Sequence, residues 1–448
     1  MVSERVDERP ASSLAATAAA QAKPRLAAWL TLGMLCFVYV LNFLDRQLLS
    51  ILAKPIQDSL HITDGQLGRI GGLYFALFYC LISIPVGWLA DRTNRVRVLA
   101  LACALWSAAT MACGMAATYP QLVGARMAVG VGEAGGVPPS YAIISDCFPP
   151  GRRGAALALF NLGPPIGQAL GVAFGASIAV AYSWRHAFLI LGAIGVLAAL
   201  AVLAMVREPA RGGLDGAKSH HGLIEVKSAG FGRTVRMFFA TPALRLAALA
   251  SAATQVITYG AGNFTTLFLI REKGMTLSQV AVYYALVVAV GMGGGIFVSG
   301  RVIDRFTLRS RRAYALAPAL SLAFAAPLFA AFVWAPTWPL ALVFLLGPTF
   351  LNYFYLTASV ALVQEEVAPS QRVLSGALLL LVMNLVGMGV GPTAVGALSD
   401  ALREAHPGHA LQLAFCGLLP VYALAIILFL RLDGVLRREG PRPGAQAA

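Results

Sequence analysis

Apolar runs of about 20 residues, the length a helix needs to cross a bilayer, recur twelve times along the 448-residue chain. They occupy 26–50, 66–90, 97–117, 120–143, 154–181 and 185–206, then 244–270, 279–302, 312–334, 338–363, 373–398 and 409–431, here numbered spans 1 to 12. Polar or Pro/Gly-marked turns separate them. The pattern predicts an all-α membrane protein with a tail (1–25), a six-helix bundle (26–206), a linker rich in Gly, Lys, Arg and His (207–243), a second six-helix bundle (244–431) and a second tail (432–448). Composition agrees. Charged residues make up 12% of the chain against about 25% in soluble domains, too few to coat two or three soluble units.

The net charge of +14 raises the question of a polyanionic partner, and the placement of the charges answers it. Of 34 Lys and Arg, 26 fall in the tails and the loops of one face. Six (Lys54, Arg69, Arg185, Arg271, Lys273 and Arg403) fall on the other, and Arg46 and Arg126 lie within spans. This bias places both termini in the cytoplasm, so basicity reports topology and not nucleic acid. Residues 1–24 lack the basic start and apolar core of a signal peptide, and the short tails suit a bacterial inner membrane. The six cysteines form no CxxC pair and accompany no His cluster, so neither a metal nor another cofactor is expected. No GxxxxGK[ST] or GxSxG motif occurs, and the six histidines sit in loops or at span ends. That excludes an ATP-driven pump within this chain and argues against an enzyme.

The two bundles echo one another. Gly87-Trp-Leu-Ala-Asp91-Arg92, with Arg95, follows span 2, and Gly300-Arg-Val-Ile-Asp304-Arg305 follows span 8, 213 residues later. Phe148-Pro-Pro-Gly-Arg-Arg153 before span 5 pairs with Val367-Ala-Pro-Ser-Gln-Arg372 before span 11, and Asn42-Phe43 with Asn263-Phe264. Duplication of this kind marks transporter folds whose substrate site lies between the repeats near mid-membrane. A carboxylate at a helix end favours the positive N-terminal end of a neighbouring helix. Asp91 would meet span 11 at Pro369-Ser370, Asp304 would meet span 5 after Pro149-Pro150, and both would latch the cytoplasmic side.

Four ionisable residues, Asp45, Arg46, Arg126 and Glu133, fall where hydrocarbon should be. Each costs about 2.5–3.5 kcal/mol at a helix centre, so they need either a water-filled cavity or mutual pairing. Arg126, Gly130 and Glu133 share a face of span 4, whereas adjacent Asp45 and Arg46 diverge by about 100°. Asp45 and Glu133 are candidate proton or cation carriers. Arg46 would hold a carboxylate or an anionic head-group, and Arg126 would belong to the ion-pair network. The second half offers neutral partners instead: Gln255, Thr258, Tyr259, Asn263, Asn352, Tyr353 and Tyr355, with Thr266 opposite Asp45. Asn42, Tyr259, Asn263, Asn352 and Tyr353 join Arg46 as candidate substrate contacts. Gly163 and Pro164 weaken span 5 where a helix must bend.

The Gly87…Asp91-Arg92…Arg95 loop, Arg126-Met-Ala-Val-Gly130 and Gly163-Pro164-Pro-Ile-Gly167 resemble motifs of the major facilitator superfamily over essentially the whole chain. Asn42-Phe-Leu-Asp45-Arg46, Gly130-Val-Gly-Glu133-Ala134, Ser145-Asp-Cys-Phe-Pro149 and Trp184-Arg185-His-Ala-Phe188 are most similar to the spinster-type members. The resemblance implies twelve helices in two pseudo-symmetric bundles, usually a monomer, and supports Asp45, Arg46 and Glu133 as functional positions. It also implies secondary transport, proton- or cation-coupled, of a small amphiphilic or anionic molecule, with lysolipid or sphingoid export favoured. Uptake of carboxylates or sugar acids by an organic anion:cation symporter, and a non-transporting membrane sensor, are the alternatives.

Overall fold

The computed structural model describes residues 26–210, 231–368 and 371–439, and every regular element among them is helical. Among the described residues ten helices are long and apolar enough to cross a bilayer, and an eleventh apolar stretch is the helix Pro242–Arg271, which Gly232–Ala240 meets at a bend of 82°. Between spans 3 and 5 the chain crosses once more through two shorter helices, Tyr119–Glu133 and Val137–Cys147. Their break at 134–136 follows Glu133 directly, so span 4 is interrupted at one of its ionisable residues. Span 5 is likewise two helices, Pro150–Phe160 and Gly163–Ala181, the second opening on prolines that lack the N–H a first turn leaves free anyway. Spans 8 and 11 each carry a π-helical turn, Val280–Tyr284 and Met383–Met388, a wider winding that often marks functional sites.

The surface explains why the helices stay in a membrane. Leu81, Leu101, Phe324 and Val343 are more than half exposed, an apolar coat that water would not tolerate. Inside each bundle, small residues let backbones approach. A Cβ at Gly167 would run into the Val40 carbonyl, and one at Gly192 into the Ser107 carbonyl. Such contacts replace the hydrophobic drive that is missing between helices in lipid. The halves meet where span 1 packs on span 7, span 2 on span 11 and span 5 on span 8. Within the stretch read as linker, the described part includes a helix, Phe231–Ala240, while 211–230 lie outside the described residues.

Candidate functional site

The ionisable residues of the first half converge on one cluster. Arg46 reaches the end of the first helix of span 4, where its Nε donates to Glu133 Oε2 at 2.6 Å. Asp45 turns instead toward span 3 and accepts from the Thr110 hydroxyl at 2.9 Å. Its carboxylate also lies 4.0 Å from Arg126 Nη1. Mutual pairing is therefore how these charges survive at membrane depth. The side chains of Glu133 and Asp45 are 0% and 2% exposed while that of Arg46 keeps 15%, so the guanidinium is the member that meets the space between the halves. Rings of Phe43, Phe75 and Tyr79 surround it at 4.9, 5.2 and 5.0 Å, contacts that strengthen where water is excluded. Arg126 lies over the other reach of Phe75, at 5.3 Å.

Two carboxylates face two guanidiniums, and the match is incomplete. Among the described residues, one oxygen each of Asp45 and Glu133, and Nε and Nη1 of Arg126, find no hydrogen-bond partner. The cluster thus holds unused acceptor and donor capacity in a buried setting. It can take up a proton or exchange one partner for another without building new geometry, and breaking one pair leaves its mate stranded at about 3–5 kcal/mol.

The opposite wall is neutral. Tyr259 on span 7 interacts with Arg46 across the halves. Tyr353 neighbours Tyr259 and also Gln168 of span 5, whose Oε1 accepts from Gln47 Nε2 at 2.8 Å. Sequence reading missed Gln47 and Gln168; their signal is an uncharged amide inside an apolar span, which is easy to overlook beside Asp45-Arg46. The other neutral candidates are placed elsewhere. Asn352 donates to the Tyr422 hydroxyl at 2.9 Å inside the second bundle, and Tyr355 and Thr266 are buried. Gln255 bonds Asn384 at 3.3 Å. Asn263 donates to the Tyr259 carbonyl at 3.1 Å, and its Oδ1 abuts Gly71 of span 2, at the joint between the halves. Asn42 is buried beside Tyr39, Trp106 and Ser140, with its Oδ1 unpartnered. Gly163 lies where a Cβ would press on the Tyr39 ring at 2.8 Å, so the span 5 break rests against span 1.

The halves are clasped at the face away from the tails. Asp400, near the end of span 11, accepts from the backbone N–H groups of Asp64 and Gly65 at 3.0 and 2.9 Å, capping the start of span 2. Arg271 at the end of span 7 donates to Asp64 at 2.8 Å and to Gln57 at 2.7 Å, and the Ser399 hydroxyl donates to Asp64 at 2.8 Å. The Ser50 hydroxyl ties span 1 to the Gly262 carbonyl at 2.8 Å. Glycines make the fit possible: a Cβ at Gly68 would strike the Pro392 carbonyl, and one at Gly396 the Asp64 carbonyl. None of this clasp was singled out from sequence. The available signal was the capping box formed by Thr63 and Gln66.

The predicted latch on the other face is arranged differently. A Cβ at Gly87 or Gly300 would meet no atom within 4 Å. Arg92 stacks on Trp88 at 4.2 Å, and Asp304 and Arg305 are exposed. Arg95 is spent within its own half, donating to Asp146 at 2.7 Å and Glu208 at 2.9 Å. The side chain of Asp91, and Pro369 and Ser370, lie outside the described residues.

The family model described as Major Facilitator Superfamily matches residues 35–378. The chain belongs to this superfamily. A superfamily efflux pump from Mycolicibacterium smegmatis is 32% identical over 411 residues, 89% of this chain and 90% of that one. Protein spinster homolog 1 of Mus musculus is 26% identical over 396 residues, 84% of this chain and 73% of the relative. Among solved structures, a bacterial homologue of the human lysosomal transporter Spinster, inward-facing and unoccupied, superposes with a TM-score of 0.85 at 28% identity, covering 94% of this chain and all of that one. The protein is thus a multi-pass superfamily transporter, not an enzyme, related to Spinster proteins and efflux pumps.

Proposed function

We propose that the protein is a proton-coupled transporter of a small amphiphile with an anionic head-group, seen here with its cytoplasmic side open. The observation that carries the reading is the Arg46–Glu133 pair, a sealed carboxylate bonded at 2.6 Å to a guanidinium that also reaches Tyr259 across the halves. Protonation of Glu133 would release Arg46; an anionic head-group would compete for the same donors by charge-assisted bonds. Proton and anionic cargo would then favour each other's binding, because a neutral Glu133 leaves Arg46 free for the head-group, which is the coupling a symporter needs. Asp45 and Arg126 form the inner pair that adjusts when the outer one changes. The tyrosine wall of Tyr259 and Tyr353 supports a cargo with a less polar body. The clasped far face and the open setting of Gly87 and Gly300 support the inward-facing assignment, as does likeness to a structure in that state.

In liposomes, a fluorescent lysophospholipid should move faster under an imposed pH gradient. Glu133→Gln should erase the dependence on the gradient, and Arg46→Ala should weaken binding. Flux indifferent to every ion gradient would leave only facilitated diffusion. Uptake of organic anions is the second reading, favoured by the same guanidinium; accumulation of a dicarboxylate or sugar acid would select it.

A further inference from the structure

The helix Phe231–Ala240 has no part in the transport site, and its geometry calls for a separate explanation. It leaves span 7 at 82°, so with span 7 across the membrane it runs close to the membrane plane. Its inner face is packed: Thr234 and Phe238 are 1% and 0% exposed, against span 7 and the first helix of span 11, Arg372–Val382. Its outer face is cationic. Arg233, Arg236 and Ala240 are exposed at a spacing that sets them along one side, and exposed Arg245 follows one turn into span 7, donating to the Phe239 carbonyl at 3.3 Å. No Asp or Glu occurs from 231 to 271, and neither Arg233 nor Arg236 forms an ion pair with another described residue. Phe239, 40% exposed, adds an aromatic ring beside this stripe.

We infer that this helix is a binding surface for anionic phospholipid head-groups of the leaflet on the side of the tails. A short helix in the interface plane, with arginines outward and an aromatic at its edge, is built for that layer, and anionic lipid is the partner whose charge complements it. The occupant is a lipid and not a nucleic acid or peptide, because Phe239 shares the exposed surface and the helix axis follows the bilayer. The helix also holds the near end of span 11, whose far end carries the Asp400 clasp, so bound lipid restrains the helix that joins both faces.

The test is lipid retention by the purified full chain in native mass spectrometry, with phosphatidylglycerol and phosphatidylcholine in competition. The wild type should prefer phosphatidylglycerol. Arg233→Gln with Arg236→Gln should lower that preference by about 25-fold, roughly fivefold per arginine, while Arg437→Gln with Arg438→Gln, in the last helical turn, should leave it unchanged. Raised salt should mimic the first double variant without altering the fold. Equal retention of the two lipids by the wild type, a preference untouched in the Arg233/Arg236 variant, or displacement by glycerol phosphate alone would overturn the inference.

Discussion

The two walls of the candidate site differ in kind, although the two halves share sequence motifs at matching spans. The first half carries Asp45, Arg46, Arg126 and Glu133 within one network, with Arg46 alone reaching the space between the halves. The second half meets Arg46 with a tyrosine and keeps its polar residues, such as Asn352 and Gln255, bonded inside its own bundle. Charge is concentrated in the first half, while the second half keeps neutral hydrogen-bonding groups.

That contrast can be broken by moving charge out of the first wall. Arg46→Ala should have the largest effect, because it strands Glu133 in a buried pocket at about 3–5 kcal/mol. Thermal unfolding in detergent should fall well below wild type, and Arg46→Ala/Glu133→Gln should recover most of the loss. Asp45→Asn should leave the fold largely intact, since Thr110 can still bond it, yet reduce gradient-driven flux by about 100-fold, the lower end of what a lost proton-transfer group costs. In the second half, Asn352→Leu should cost stability only, about 1–3 kcal/mol for the stranded Tyr422 hydroxyl, with the pH dependence of flux unchanged. Loss of pH dependence in that variant would dissolve the distinction between the walls. At the far clasp, Asp400→Asn should weaken the cap on span 2 by about 1 kcal/mol. It would shift the population several-fold toward the outward-open state, read as faster alkylation of a cysteine placed at Thr63. Tyr259→Phe should be mildest, a few-fold rise in KM for cargo.

Much of this was legible from residues alone, for reasons that differ by region. Apolar length fixes the crossings because hydrocarbon tolerates no unpaired backbone, so the spans could be read directly. Asp45, Arg46, Arg126 and Glu133 stood out because charge is costly there. Which carboxylate pairs with which arginine did not follow, since helix rotation decides it and Asp45 turned out to face Thr110 and Arg126. The neutral residues were harder still: Asn352 and Asn263 look like Tyr259 in sequence, yet one is bonded within its bundle and one lies at the joint. The clasp at Asp64, Arg271 and Asp400 was hidden because its members lie far apart in the chain and each reads as an ordinary helix end.

The most direct test is a distance measurement that needs no cargo. Spin labels at His61 and Glu404, both exposed on the far face on opposite halves, report the clasp in a background with the six native cysteines replaced. If Asp45 and Glu133 couple proton binding to the movement of the halves, the balance between short and long distances should change between pH 8 and pH 5 in the parent. It should be frozen in Asp45→Asn/Glu133→Gln. An equal pH response in the doubly neutralised protein would contradict the account, for the proton would then be acting somewhere else.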